Sequence, residues 1–305
     1  MSILVVGSVA FDRITTPFGT AERCLGGSAT YFSVAASFFT DVNLVGVVGE
    51  DFTEDDAAIF KGRRIQLDGL QKVRGAKTFF WSGEYGFDLN VAKTRDTQLN
   101  VFADFKPKLN ESQQRSDVVF LANIDPDLQM DVLHQCRNPR LVALDTMNYW
   151  ITSKKEALTR VFRKVDLIVI NEAEVRQYTQ EANLIKGCRQ ILALGAKRLV
   201  IKRGEYGVLM ITHDAIFAVP AYPLENVFDP TGAGDTFAGG LLGYLASCRA
   251  HDDRELRRAI IFGSVLASFT VEKFSLDRLR EITIADVEER YRAFRALTHF
   301  EDLAV

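Results

Sequence analysis

Six short apolar runs, at residues 3–6, 42–48, 118–122, 141–144, 167–170 and 199–201, recur along this chain, bounded by turn residues or by helix-like segments. A run that is apolar at consecutive positions has no polar face, so as a strand it must be buried on both sides. Parallel strands meet that condition when helices cross between them and cover both faces of the sheet. Residues 29–39 read as the first such helix, since they are apolar and flanked by Gly26-Gly27 and Thr40-Asp41. The expected class is therefore α/β, a mostly parallel sheet with helices on both faces. No linker, repeat or low-complexity tract interrupts it, so residues 1–305 are read as a single domain. Ser153 with Glu156, and Thr283 with Asp286, have the spacing of helix capping boxes.

Two stretches break the alternation. Residues 11–25 and 72–100 are rich in turn residues and in alternating aromatic or β-branched positions, as in KTFFWSGEYGFDLN. They read as strands of a separate small sheet that pair into one flap, or else as two surface hairpins.

The run DPTGAGDTFAGGLLGYL, residues 229–245, begins as a glycine-broken turn and ends as an apolar helix. Pro230 presets its own backbone angle, and Gly232 and Gly234 put no side chain between the backbone amides and a ligand. A helix starting near Ala233 would present the N–H groups of Ala233, Gly234 and Asp235 at its positive end, where an anion is stabilised. Residues 259–271 are apolar enough to pack beneath that helix. Asp235 can accept a proton from a hydroxyl attacking a phosphoryl group while the amides neutralise the transferred oxygens. Its place near a helix N-terminus is expected to lower its pKa. An isolated Gly-x-Gly-Asp is also compatible with ordinary helix capping.

Asp-Pro-Thr-Gly-Ala-Gly-Asp followed three residues later by Gly-Gly-Leu-Leu resembles the C-terminal signature of the PfkB carbohydrate kinase family, which includes ribokinase, fructokinase and adenosine kinase. The resemblance spans nearly the whole chain. It implies a ribokinase-like, Rossmann-like sheet with a small β-sheet lid inserted from about 11–25 and 72–100. It makes Asp235 the catalytic base and Gly232, Ala233 and Gly234 the anion hole. Asp12, five residues after Gly7, matches the aspartate that holds vicinal hydroxyls of the acceptor, though in a turn it would also serve as a cap. Gly26, Gly27 and Ser28 resemble the N-terminal signature. Tyr31 stands where many members have asparagine, so it departs from the family and offers a ring face to the substrate instead.

Asn171 and Glu174 resemble the Asn-x-x-Glu motif, in which the glutamate organises Mg²⁺ through water and the asparagine faces the phosphates. Read alone they are acidic and capping residues at a helix start. IKRGEYG, residues 201–207, resembles the nucleotide-binding strand and turn, with Lys202 and Gly204 along ATP. Thr231 also falls at the ATP side. Asp145 and Asn148, and Asn123 and Asp125, follow strands in regions that face substrate or phosphate in these kinases. Asp229 with the Thr231 carbonyl matches residues that hold a monovalent cation, K⁺, in several relatives.

The implied activity is ATP- and Mg²⁺-dependent phosphorylation of a primary hydroxymethyl group on a nucleoside or a sugar. Phe79, Phe80, Trp81, Tyr85 and Phe87 in the small sheet, with Tyr31, favour a nucleoside, because each offers a face to a base. A free-sugar kinase and a catalytically silent sugar-binding regulator are the alternatives. A dinucleotide oxidoreductase is disfavoured, because GSVAFD after the first strand lacks Gly-x-Gly-x-x-Gly. With a net charge of −3, the chain is not expected to bind nucleic acid. Four scattered cysteines suggest neither zinc nor disulfides, and the N-terminal apolar run meets Asp12 too soon for a leader or membrane span, so the expected location is the cytoplasm. Small-sheet edges pairing between chains would make a homodimer.

Overall fold

The computed structural model describes residues 1–299 and 301. Thirteen strands form two sheets: β1 (Ser2–Val6), β2 (Ala10–Thr16), β3 (Gly19–Gly26), β4 (Asp41–Gly49), β5 (Ile65–Val73), β6 (Phe79–Tyr85), β7 (Ala92–Gln98), β8 (Val118–Leu121), β9 (Leu141–Leu144), β10 (Leu167–Asn171), β11 (Arg198–Lys202), β12 (Val208–Ile211) and β13 (Ile216–Val219). The large sheet has the order β13-β12-β11-β10-β9-β8-β1-β4-β5. It is parallel from β11 through β5, and β12 and β13 add an antiparallel edge.

Each of the six apolar runs lies in this sheet. Alternate residues along β1 enter different cores: Ile3 and Val5 join the cluster under the helices Ser28–Ala36, Ala233–Ser247 and Asp253–Thr270. Leu4 and Val6 join the cluster on the opposite face, under Lys155–Phe162, Glu172–Thr179 and Leu184–Leu192. A strand buried on both faces has no need of polar residues, which is why these runs are continuous. No helix among the described residues is long and apolar enough to cross a membrane.

The small sheet has the order β3-β2-β6-β7. Its central pair, β2 and β6, is parallel, with Asp12 beside Trp81 and Ile14 beside Gly83. The chain leaves the large sheet after β1, makes the β2–β3 hairpin, and returns through the Ser28–Ala36 helix. It makes the second excursion between β5 and β8.

Three local expectations are corrected. Residues 72 and 73 belong to β5 at the edge of the large sheet, so the second excursion starts later than expected. The helix expected at 29–39 spans Ser28–Ala36 and ends in a turn. Ser153 caps no helix: it is the last residue of Asn148–Ser153, its hydroxyl donates to the Tyr149 carbonyl at 2.7 Å, and Lys154 precedes the following helix without a side-chain cap. Thr283 and Asp286 do form the reciprocal capping box.

The Ala233–Ser247 helix lies tightly between its neighbours. A Cβ on Gly239 would collide with the Phe32 carbonyl, and one on Gly243 would collide with the backbone of Ala36. Helices this close leave no room for a methyl group. Gly239→Ala should therefore destabilise the fold by about 1–3 kcal/mol, through overpacking that outweighs the helix-propensity gain. Gly86→Ala, at a site with open space, is the control. Urea unfolding of both variants reads the difference; equal midpoints would contradict this packing.

Candidate active site

The carboxyl ends of β9, β10 and β11 lie side by side at one edge of the large sheet, and ligands of open parallel sheets bind beyond that edge. Asp145 follows β9, Asn171 ends β10 and Lys202 ends β11. The Lys202 ammonium donates to Asp145 Oδ2 at 2.6 Å; Asp145 is 3% exposed and its other oxygen accepts the Thr146 N–H at 2.7 Å. A Cβ on Gly234 would lie 3.1 Å from Lys202 Nζ, so the ammonium reaches the start of the Ala233–Ser247 helix.

That helix begins as expected. Gly232 is its N-cap, at φ 74° in the left-handed region, and Asp235 lies in the first turn. The amides of Gly232, Gly234 and Asp235 meet no backbone acceptor among the described residues, and so remain open to an anion. The Ala233 N–H does not: it donates to the Pro230 carbonyl at 3.2 Å, because the turn closes there. Ala233 is thus removed from the expected anion hole.

Asp235 is half-buried, and no hydrogen bond reaches its carboxylate. Burial and the neighbouring Asp145 push its pKa up to about 7, with Lys202 working against them. The expected lowering is overturned: desolvation of the carboxylate outweighs the helix end. Asp12, on β2, approaches from the small sheet. It is 4% exposed, and burial together with Asp229 and Asp235 raises it to about 8; it too receives no hydrogen bond. Two unpartnered carboxyl groups therefore lie close enough for their charges to interact, beyond the carboxyl ends of the strands, each with an oxygen able to accept from a hydroxyl.

The glycine turn before the Ser28–Ala36 helix supports Asp12. A Cβ on Gly26 would occupy the space of the Asp12 carboxylate. Gly27, at φ 93°, is packed on the Ser8 backbone, and Ser28 is buried with its hydroxyl 3.2 Å from that of Ser8 and its N–H donating to Ser8 Oγ at 3.0 Å. Gly27 and Ser28 thus brace the turn. Tyr31 is corrected more sharply. It is 1% exposed, and its ring fills the space that a Cβ on Gly232 would need, so neither face is free for a substrate. It supports the glycine turn from below.

Asn171 and Glu174 form a capping box: Asn171 Oδ1 accepts the Glu174 N–H at 2.8 Å and Glu174 Oε2 accepts the Asn171 N–H at 2.9 Å. Glu174 Oε1 takes no part in it. Burial, then Asp145, raise Glu174 to about 7, with Lys202 opposing. Among the described residues no group of three or more His, Cys, Asp or Glu side chains is arranged to hold a metal ion. One free carboxylate oxygen nonetheless suits Mg²⁺, which takes one or two carboxylates and completes its shell with water and phosphate oxygens. Asp229 is fully buried, with its oxygens accepting the N–H groups of Thr231 and Ser275, each at 2.9 Å. It fixes the loop entering the glycine turn.

The remaining residues separate. Gly204, at φ 56°, turns the chain after β11, but the side-chain oxygen of Asn90 occupies the space above it, and Asn90 Nδ2 donates to Glu205 at 3.1 Å. Thr231 donates its hydroxyl to Tyr85 at 3.2 Å. The second excursion therefore touches both the glycine turn and the β11 turn. Asn123 accepts from Trp150 at 3.0 Å, and Asp125 caps the Pro126–Gln135 helix and pairs with Lys154, so both are committed to local structure. Asn148 opens a short helix, where its carbonyl accepts from Thr152. The Asp145–Lys202 pair was not read from the sequence. Each residue carried the signal of a polar group after a buried strand, but their pairing joins positions 57 apart.

A family model described as pfkB family carbohydrate kinase matches residues 2–281. The cytidine kinase of Thermococcus kodakarensis is 29% identical over 255 residues, covering 80% of this chain and 88% of that protein. The ribokinase of Lactococcus lactis is 24% identical over 287 residues, covering 89% and 91%. Among solved structures, the nucleoside kinase of Methanocaldococcus jannaschii has a TM-score of 0.77 at 21% identity, covering 96% of this chain and 98% of that one. The nucleoside kinase of Burkholderia thailandensis in complex with inosine has a TM-score of 0.75 at 18% identity, covering 95% and 97%. These structures share the fold.

The raised carboxyl of Asp12 has a consequence for stability. The unfolded chain ionises it near pH 4 and the folded chain only near pH 8, so its contribution to stability is full below pH 4 and is lost as pH rises toward 8. Asp12→Asn should raise Tm at pH 8 by a few degrees, with a smaller gain at pH 5. Thermal melts at the two pH values test this, and equal effects at both would contradict it.

Proposed function

The chain belongs to the pfkB family of carbohydrate kinases and is a phosphotransferase with an alcohol acceptor; on that premise we propose that it transfers the γ-phosphate of ATP to the 5′-hydroxyl of a nucleoside. The observation that carries the reading is the pair of unbonded carboxylates, Asp235 and Asp12, across one cleft from open amides and a lysine. Asp12, mostly protonated at neutral pH in the free protein, donates to one of the vicinal hydroxyls of the acceptor, accepts from the other, and turns its primary hydroxyl toward Asp235. Asp235 accepts that proton. With a pKa near 7 it is a better base than an exposed aspartate, and still half ionised at neutral pH.

In a loose phosphoryl-transfer transition state little covalent work falls to the protein, and charge neutralisation dominates. The amides of Gly232, Gly234 and Asp235 and the Lys202 ammonium face the transferred oxygens. Glu174, with Asn171 beside it, would hold Mg²⁺, which when bound offsets phosphate charge. Thr231 and the turn at Gly204 line the nucleotide side. β2, β3, β6 and β7 act as a lid that excludes water during transfer.

A nucleoside is favoured over a free sugar by two facts. The cytidine kinase is 29% identical over 80% of this chain, above the 24% of the ribokinase over 89%. The small sheet also presents aromatic residues beside Asp12.

Turnover of ATP with Mg²⁺ should be measured across cytidine, adenosine, inosine, ribose and fructose. A nucleoside should be preferred, and Asp235→Asn should lower kcat by roughly 10²-fold or more. Near-normal turnover in that variant would remove Asp235 from its role, and preference for ribose or fructose would replace the nucleoside with a free sugar. Lys202→Met removes the cation that opposes ionised Asp235 to protonation, so the acid limb of kcat/KM should move to higher pH. A limb that stays in place would contradict that coupling.

A further inference from the structure

Five aromatic side chains of the second excursion were candidates to face a base, and the structure separates them. Phe79 stacks on Phe102, with ring centroids 5.3 Å apart. Phe80 packs against the main core, Tyr85 holds Thr231, and Phe87 stands 96% exposed on the loop after β6. Trp81 differs from all four. Its register partner on β2 is Asp12, and paired residues of neighbouring parallel strands project from the same face, so the indole and the Asp12 carboxylate share the face turned to the cleft.

The indole does not stand away from the sheet. A Cβ on Gly83, two residues along β6, would collide with the indole atoms Cη2 and Cζ2, so the ring lies across the Gly83 backbone. Its Nε1 donates to Thr94 Oγ1 at 3.3 Å, and Thr94 is the register partner of Gly83 on β7. A notch under the ring and a hydrogen bond at its edge thus hold it flat along the sheet. Trp81 is half-buried and has no aromatic partner among the described residues, so Gly83 covers one ring face and no aromatic side chain covers the other.

We infer that the Trp81 indole, laid over Gly83, is the platform on which the planar base of the acceptor stacks. The inference rests on the nucleoside reading. With Asp12 on the vicinal hydroxyls of a ribose, the group joined at the adjacent ring carbon extends about one strand spacing, ~4.8 Å, which is the step from β2 to β6. On the other side of Asp12 stands Cys24 of β3, which offers no planar surface. Stacking reads the π-face of any base, so the platform gives affinity for nucleosides as a class and discriminates weakly among purines and pyrimidines.

Binding without ATP separates this inference from the kinase reading. Trp81 and Trp150 are the two tryptophans of the chain. Adenosine, inosine or cytidine should quench the fluorescence of the wild-type protein, ribose should not, and the nucleoside quench should vanish in Trp81→Phe, where Trp150 is the only indole left. Trp81→Leu should raise the nucleoside KM by roughly 5- to 150-fold with a smaller change in kcat, and Trp81→Phe should recover most of the affinity because it keeps a ring. Gly83→Ala, which lifts the indole from the sheet, should raise KM in the same direction. A wild-type enzyme that phosphorylates nucleosides but shows no quench through Trp81 and an unchanged KM in Trp81→Leu overturns the platform. A wild-type enzyme that phosphorylates no nucleoside overturns the nucleoside reading and the platform with it.

Discussion

The Lys202–Asp145 ion pair is the interaction on which the electrostatics of the cleft depend. It joins the ends of β11 and β9 across the end of β10, at 2.6 Å and with both side chains largely out of water. One ammonium answers three carboxylates there: Asp145, Glu174 and Asp235. Burial alone would lower the lysine's pKa, and the three acids reverse that, keeping it charged. Glu174 and Asp235 in turn are held up by burial and by the neighbouring Asp145, and Lys202 moderates both. The cleft is therefore short of positive charge, as suits a site that receives a nucleotide together with a divalent cation. Removing either partner of such a pair leaves an uncompensated buried charge.

Around that pair, close packing fixes the other groups. Tyr31 fills the space beneath Gly232, Gly26 makes room for the Asp12 carboxylate, and Gly83 receives the Trp81 ring. In each case a missing Cβ lets a larger group approach, from another part of the chain at Gly232 and Gly26 and from the same strand at Gly83. The helix Ala233–Ser247 is set by the same device, with Gly239 and Gly243 against the Ser28–Ala36 helix. Asp235 thus inherits its position from core packing rather than from a loop, which is the precision that proton transfer and phosphoryl alignment require.

The large sheet was legible in the sequence because its strands are buried on both faces, and a doubly buried strand leaves an uninterrupted apolar run. The edges were less so. IQLDGLQKV of β5 mixes polar and apolar positions, and every residue of β7 is exposed, so neither carries that signal. Residues 229–245 were legible because the turn, the helix start and Asp235 are adjacent in the chain. What could not be read locally was anything that depends on a partner elsewhere. The pairing of Lys202 with Asp145, the burial that lifts Asp235 rather than lowering it, and the enclosure of Tyr31 under Gly232 all arise from contacts between distant segments. Ser153 failed for the opposite reason: its spacing to Glu156 was right, but the preceding helix had already claimed it.

The central claim is that Asp235 is poised, before any ligand binds, as a carboxylate that gains and loses its proton near neutrality. Its side-chain carbon can be followed directly by ¹³C NMR over pH 3 to 10, the resonance being identified by its loss in Asp235→Asn. A midpoint near 7 in the free protein is the result this account predicts. A midpoint near 4, the range of an ordinary aspartate, would mean that the cleft does not desolvate the carboxylate, and would contradict it.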